Sequence, residues 1–130
     1  MVLAAEWAVS ADSPWKMYQG NAAHTGYVPV TLNPTNFTLL WRKTIHSGMP
    51  LNPVTAAEGE VFATEFGGFG NIGLYALNAA DGNLLWNVNY SNLFSVNPPS
   101  YAYGNVYVET GNGFGIGESS VRAYQAAPVI

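Results

Sequence analysis

The stretch that decides the fold runs from Ala76 to Trp86 and reads Ala-Leu-Asn-Ala-Ala-Asp-Gly-Asn-Leu-Leu-Trp. Asp81-Gly82 lies between two apolar runs, which is a strong signal for a tight β-hairpin because glycine accepts the positive φ that such turns need. The flanking runs favour strands and show no 3.6-residue periodicity over the length of a helix. We therefore predict two antiparallel strands, over 72–78 and 83–90, joined by this turn.

Much of the pattern occurs again in the chain at a distance of about 45 residues. Four pairs of segments share residue types at a spacing of 45: Leu40-Trp41 with Leu85-Trp86, Asn52-Pro53 with Asn97-Pro98, Gly59 with Gly104, and Val61-Phe62 with Val106-Tyr107. Beyond a glycine-rich turn the spacing becomes 47, since Ala76 matches Ala123. A period of this length with four short strands is typical of a β-propeller blade.

The strand signals divide the repeat into blades of antiparallel strands. One full blade is predicted over 52–90, with strands at 52–57, 60–66, 72–78 and 83–90 from innermost to outermost. A three-stranded partial blade is predicted over 96–125, with strands at 96–102, 105–110 and 119–125. Residues 37–45 have the sequence of an outermost strand that has no blade of its own. The expected organisation is an N-terminal arm and lead-in segment over 1–36, followed by all-β propeller blades over 37–130, about two per chain.

The composition agrees with this fold and excludes some functions. Apolar residues make up 48% of the 130 residues, and 14 glycines with 8 prolines allow many tight turns. Only four residues are basic against eight acidic, so the chain lacks the clustered Lys and Arg that binding to nucleic acid requires. No apolar run reaches about 18 residues, and we expect no membrane span. The absence of cysteine excludes disulfides and thiolate metal sites.

The hairpin resembles the tryptophan-docking motif A-x-D-x-x-T-G-x-x-x-W of propellers of the pyrroloquinoline-quinone type. Ala76, Gly82 and Trp86 match the motif, whereas Asn78 stands in place of its Asp and Asp81 in place of its Thr. The segments Trp15–Asn21, Asn33–Phe37 and Leu40-Trp41 are similar to the lead-in to the first propeller strand of quinoprotein dehydrogenases. The two resemblances together cover residues 15 to about 127, and the motif is more specific for fold than for function.

The resemblance implies a structural role for five residues. Small Ala76 leaves room for the indole of a neighbouring blade, and Gly82 permits the turn. Trp86 supplies a large apolar plate whose N–H can still reach a carbonyl. Trp41 and Ala123 are the corresponding residues of the flanking repeats, and they complete this set of docking residues.

The same resemblance bears on activity. Quinoprotein dehydrogenases hold their quinone between a tryptophan and a vicinal cysteine pair, above a calcium-binding cluster of carboxylates. This chain has no cysteine and its carboxylates are scattered, so we expect no cofactor. Some relatives with the same blades are scaffolds, for example in outer-membrane protein assembly. We interpret the protein as a non-catalytic binding or assembly module; the alternative is a remnant of a quinone-dependent dehydrogenase with residual cofactor binding.

The predicted strands do not close a propeller within one chain. The three-stranded blade lacks its outermost strand, while residues 37–45 form an outermost strand without a blade. We therefore predict a head-to-tail ring in which Leu39–Ile45 of one chain completes the last blade of its neighbour. Three chains would give six blades and four would give eight. The alternative is a truncated chain whose exposed sheet edges aggregate.

Two glycine-rich loops, 67–73 and 111–117, are candidate binding elements for a protein or small-molecule ligand. Neither opens a helix or holds the Lys of a P-loop, so turns are favoured over phosphate-binding loops. Repeated around a ring, their tips would line a recognition surface. The residues concerned are Phe69, Asn71, Asn112 and Phe114.

The remaining polar residues give less specific signals. His24 and His46 lie in different segments without a second histidine at ligand spacing, and His24 is expected to form hydrogen bonds within the lead-in. Glu58 and Glu60 flank a turn, where solvated carboxylates are expected. The Asn-Pro pairs at 52–53 and 97–98 open innermost strands, and a polar role in a central channel is one interpretation.

The N-terminal residues 1–11 lack the features of a working signal peptide. Val9 and Ala11 would suit a cleavage site, but there is no basic region and Glu6 interrupts the apolar stretch. We expect a loosely attached arm here. The relatives are mostly exported, so the resemblance favours a periplasmic or secreted location.

Overall fold

A computed structural model describes residues 15–27, 31–45, 49–67, 72–91, 93–112 and 119–126. Among these residues the structure has eight strands, one short 3-10 helix at Pro34–Asn36 and no α-helix. The strands are β1 (Thr55–Ala57), β2 (Glu60–Thr64), β3 (Ile72–Asn78), β4 (Leu84–Tyr90), β5 (Ser95–Val96), β6 (Ser100–Ala102), β7 (Asn105–Gly111) and β8 (Ser120–Gln125). They form two antiparallel sheets, and the prediction of an all-β, antiparallel fold is confirmed.

The first sheet, sheet I, is a meander in the order β1-β2-β3-β4. The hairpin β3–β4 turns at Gly82, whose φ of +71° is the left-handed conformation that glycine adopts without cost. Side chains fix the rest of the turn, because Asn78 Oδ1 accepts from the Ala80 amide and Asp81 Oδ1 from the Asn83 amide. Asn78 and Asp81, the two residues that depart from the docking motif, therefore both stabilise this turn.

The second sheet, sheet II, repeats the pairing of sheet I. Strands β5 and β6 both pair with β7, and β8 pairs with the other side of β7. The predicted strand 96–102 is divided because Pro98 and Pro99 have no amide hydrogen for the ladder. The register is conserved at a spacing of 45 residues: Leu51 opposes Glu65 as Val96 opposes Thr110, and Thr55 opposes Phe62 as Ser100 opposes Tyr107.

The hydrophobic core lies between the two sheets and is largely aromatic. The rings of Phe62 and Tyr101 stack with their centroids 6.0 Å apart and their planes 11° apart. Trp86 joins them, with its ring 6.2 Å from Phe62 and 6.4 Å from Tyr124. Aromatic contacts of this kind add to the burial of large apolar surfaces. Sheets I and II are therefore held together as one packed unit.

Residues 37–45 are irregular in the chain, although a strand was predicted for them. The difference has a simple physical reason. A β-strand is stabilised by ladder hydrogen bonds to a partner, and none of the described strands pairs with this segment. Its sequence has the character of a strand, while its surroundings in one chain supply no sheet.

Glu60 is buried, contrary to the expectation of a solvated carboxylate. It lies on the same face of β2 as Phe62, so sheet II covers it and leaves its side chain 7% exposed. Among the described residues its Oε2 atom has no hydrogen-bond partner. Burial raises the pKa of this carboxyl above its ordinary value of 4.5, since desolvation penalises the charged form.

We predict that Glu60→Gln stabilises the protein at pH 7 by about 1 kcal/mol, because it removes a buried charge whose Oε2 atom has no hydrogen-bond partner among the described residues. Because the pKa is raised in the folded state, the wild-type protein gains stability as the pH falls from 7 through that pKa. The gain ends near 4.5, where the carboxyl of the unfolded chain is protonated as well. Urea unfolding at several pH values measures the difference, which should vanish toward pH 4.5.

Glu109→Gln is the matched control, since Glu109 is exposed and its partner Asn97 can donate to an amide oxygen equally well. Its effect should stay within about 0.5 kcal/mol at every pH. A Glu60→Gln variant that is no more stable at pH 7 than at pH 4.5, relative to wild type, would contradict the prediction.

Candidate functional site

Two tryptophans make the same hydrogen bond at equivalent positions of the two sheets. The Nε1 atom of Trp86 donates to the carbonyl of Ala126 over 2.8 Å, and Nε1 of Trp41 donates to the carbonyl of Ala79 over 2.9 Å. The donors are 45 residues apart and the acceptors 47, which are the spacings of the sequence repeat. Each indole thus binds the turn that follows the third strand of the next sheet.

The turn of sheet I is shaped to receive Trp41. A methyl group at Gly82 would lie 2.6 Å from Cε3 of that indole, so only glycine permits the observed approach. Ala79 is also held in place, because its amide donates to the carbonyl of Gly59 over 2.8 Å. The equivalent bond in sheet II runs from the Ala126 amide to Gly104. The docking turns are therefore anchored to their own sheets before an indole binds.

Ala76 and Ala123 have different surroundings from those expected. Ala76 is buried and lies opposite Trp86 of its own sheet, whereas the indole that arrives from outside rests on Gly82. Ala123 lies opposite Tyr107 in sheet II and is exposed. Ala76 thus makes room for the tryptophan of the adjoining strand, whereas no indole lies beside Ala123 in the described structure.

The outer edge of β8 is open within the part of the chain that the structure describes. Strand β8 pairs with β7 on one side only, whereas its counterpart β3 pairs with both β2 and β4. The face of sheet II that points away from sheet I is also uncovered: Val121 is 74% exposed, while the equivalent Leu74 is 0% exposed. An open edge next to an exposed apolar face favours the addition of a further strand.

Residues 37–45 form a second unpaired surface. Leu39 and Leu40 are 82% and 80% exposed, which is unusual for two adjacent leucines. Trp41, by contrast, is partly buried and bonded to Ala79. The segment is therefore attached to sheet I through one indole and presents its remaining apolar side chains outward.

Polar side chains at the inner ends of the strands join the two sheets. The Nδ2 atom of Asn52 is within hydrogen-bond distance of the Val96 carbonyl in sheet II (2.7 Å) and of Thr64 Oγ1 in sheet I (2.9 Å). Thr64 Oγ1 in turn donates to the Asn97 carbonyl, and Thr55 Oγ1 to the carbonyl of Pro99. Asn52 is buried, and its amide joins the two sheets.

The lead-in segment adds a further link between the inner strands. The carbonyl of Trp15 accepts from the Ala56 amide on β1, and that of Lys16 accepts from the Tyr101 amide on β6. Within the segment, His24 Nδ1 lies 3.1 Å from the Tyr18 carbonyl, in agreement with the expected local role. Sequence reasoning missed the contacts of residues 15 and 16, because backbone carbonyls leave no residue-type signal.

The structure describes only one of the four candidate loop residues. Asn112 follows β7 and is partly buried. Phe69, Asn71 and Phe114 lie outside the described residues, as does His46.

No known protein family, curated protein or solved structure matches the chain. Within the described ranges, no group of three or more His, Cys, Asp or Glu side chains is arranged to hold a metal ion. The described residues also contain no helix of the length and apolar character needed to cross a membrane.

We predict that Gly82→Ala destabilises the protein by at least about 2 kcal/mol, through the strain of a positive φ and the clash with the Trp41 ring. Gly59→Ala is the control, since Gly59 has a φ of +76° but no atom within 4 Å of the added methyl group. Its cost should be about 1 kcal/mol, from backbone strain alone. Urea unfolding of both variants gives the comparison, and equal losses would show that the indole contact contributes nothing.

Proposed function

We propose that the two sheets are blades of a β-propeller and that the protein is a non-catalytic assembly module whose copies complete one another. The supporting observation is the repeated indole hydrogen bond. Trp41 sits on sheet I as Trp86 of β4 sits on sheet II, so residues 37–45 already occupy the position of an outermost strand relative to sheet I. What the segment lacks is the rest of its blade.

Sheet II of a second copy supplies that blade. Its strands β5 and β6 together correspond to the innermost strand of sheet I, β7 to β2 and β8 to β3. The strand that corresponds to β4 would pair with the open edge of β8. The β3–β4 register, shifted by the repeat spacings, defines the pairing. It places Trp41 opposite Ala123, Arg42 opposite Arg122 and Lys43 opposite Val121. The exposed Ala123 then receives an indole beside it, as Ala76 receives Trp86.

Such contacts are head-to-tail, because each copy donates residues 37–45 and accepts a strand at β8. Interfaces of this type form a ring when the rotation between copies closes. With two blades for each copy, rings of three or four chains give propellers of six or eight blades. A complete ring removes every open β8 edge, which protects the sheets from aggregation.

The side chains present favour this function over a remnant of a quinone-dependent dehydrogenase. The chain has no cysteine to form the vicinal pair of that family. The carboxylates of the described residues do not gather into a calcium-binding cluster. The residues that converge in the structure instead join strands and sheets, as expected for an assembly module of the quinoprotein-like type.

We predict that complementary variants associate only with each other. Leu39→Pro combined with Lys43→Pro disables the donated strand, since proline removes ladder hydrogen bonds. Val121→Pro or Arg122→Pro disables the accepting edge. The amides of adjacent strand residues point to opposite edges of the strand. One of these two substitutions therefore removes an amide from the open edge of β8 and leaves the β7–β8 ladder intact. The variant that folds better is used.

Light scattering on a sizing column gives the test. Wild-type protein should show the mass of three or four chains, each variant alone that of one chain, and an equal mixture that of two chains. A protein that carries both defects should associate with neither variant. Wild-type protein that stays monomeric, or single variants that still form the wild-type assembly, would disprove the proposal.

A charge reversal tests the register itself. Arg42 and Arg122 lie directly opposite each other in the proposed pairing, where like charges are destabilising by roughly 0.5 kcal/mol. Arg42→Glu should therefore tighten each interface by about 1 kcal/mol at low salt, seen as assembly at a lower protein concentration. Lys43→Glu changes the net charge equally but lies opposite Val121, so it should not tighten assembly. Equal effects of the two substitutions would contradict this register.

A further inference from the structure

A cleft of about 520 Å³ opens between the inner ends of the two sheets. Its size falls within the range of sites that hold small organic molecules, roughly 300 to 1,000 Å³. Three aromatic residues and two prolines make up half of the residues that line it, and two asparagines, Asn52 and Asn97, are among the others. The residues used below are Tyr18, Pro53, Phe66, Phe94, Asn97 and Pro98.

The walls of the cleft cannot collapse onto each other. Pro53 follows Asn52, whose amide is bonded to the Val96 carbonyl of the opposite sheet. Pro98 follows Asn97, whose carbonyl accepts from Thr64. These buried bonds between the sheets set the distance between the walls, so apolar surface stays open. Phe66, one of the lining residues, is 62% exposed. Apolar surface kept open in this way gains free energy when an apolar molecule displaces water from it.

The lining also limits the chemistry of a ligand. None of the described residues that line the cleft carries a carboxylate, ammonium or guanidinium group. A charged ligand would lose its hydration there without an opposite charge to replace it. The rings of Tyr18, Phe66 and Phe94 instead favour a flat aromatic molecule. The side chain of Asn97 is exposed, and its Nδ2 donates to Glu109, which leaves the amide oxygen as an acceptor for one N–H or O–H group.

We propose that this cleft is a binding site for an uncharged, flat aromatic molecule that carries one hydrogen-bond donor. The site lies within a single chain, so it does not depend on the proposed assembly. It also differs in charge preference from a site for a quinone that bears several carboxylates. In an assembled ring there would be one such site for each copy.

A pair of fluorescent probes tests the inference on the full chain. N-phenyl-1-naphthylamine is uncharged, has two aromatic units and carries one N–H group. Its 8-sulfonate derivative has the same rings and a negative charge. The amine should bind one molecule per chain, with a dissociation constant at least about tenfold lower than that of the sulfonate. Equal affinity for the two probes would indicate general exposed apolar surface and would overturn the proposal.

Substitutions locate the probe. Phe66→Ser changes one wall of the cleft. It should weaken binding of the amine about tenfold, because it removes a stacking surface. Tyr103→Ser is the control, since Tyr103 is 96% exposed in the turn after β6 and does not line the cleft. Its affinity should equal that of the wild type. Far-ultraviolet circular dichroism verifies that each variant is folded. If folded Phe66→Ser and Tyr103→Ser bind alike, the amine does not occupy this cleft and the proposal is wrong.

Discussion

The organisation of this protein depends on a hydrogen bond from a tryptophan indole to a backbone carbonyl in the neighbouring sheet. The bond is directional, and the indole plate buries a large apolar area around it. Together these properties fix both the distance and the orientation between one sheet and the next. Trp41 and Trp86 make this bond at equivalent turns. The same placement of an indole on a neighbouring sheet therefore occurs twice in the chain.

A polar contact and an apolar contact act at opposite ends of the interface between the sheets. At the inner ends, Asn52, Thr55 and Thr64 reach backbone carbonyls in sheet II. Toward the outer strands, Phe62, Tyr101 and Trp86 pack ring against ring. Apolar packing supplies most of the stabilisation, whereas buried hydrogen bonds permit only one alignment because an unmade bond is costly. The second sheet therefore has one position relative to the first, and the cleft between them is kept open by the same contacts.

The proposed assembly extends this interface to a second copy. Among the residues that the structure describes, Trp41 has a docking turn but no strand paired with its segment, and β8 has no strand on its outer edge. Both unpaired positions are filled if a second copy is placed relative to the first as sheet II is placed relative to sheet I. Val121 is exposed, whereas the equivalent Leu74 is buried. Assembly would therefore remove apolar surface at Val121 from water.

Local residue patterns were sufficient for the hairpin, the repeat and most of the strands, but not for 37–45 or for the division of 96–102. Asp81-Gly82 determines a turn through its own backbone preferences, and alternation of residue types determines strand character, so neither needs information from distant parts of the chain. The docking residues Ala76, Gly82 and Trp86 were proposed from the resemblance to the tryptophan-docking motif, and Trp41 and Ala123 from the repeat spacing. Contacts between residues distant in sequence decided the rest. Burial of Glu60 depends on which sheet covers it, the role of Asn52 depends on a carbonyl 44 residues away, and 37–45 is irregular because a strand exists only beside a partner.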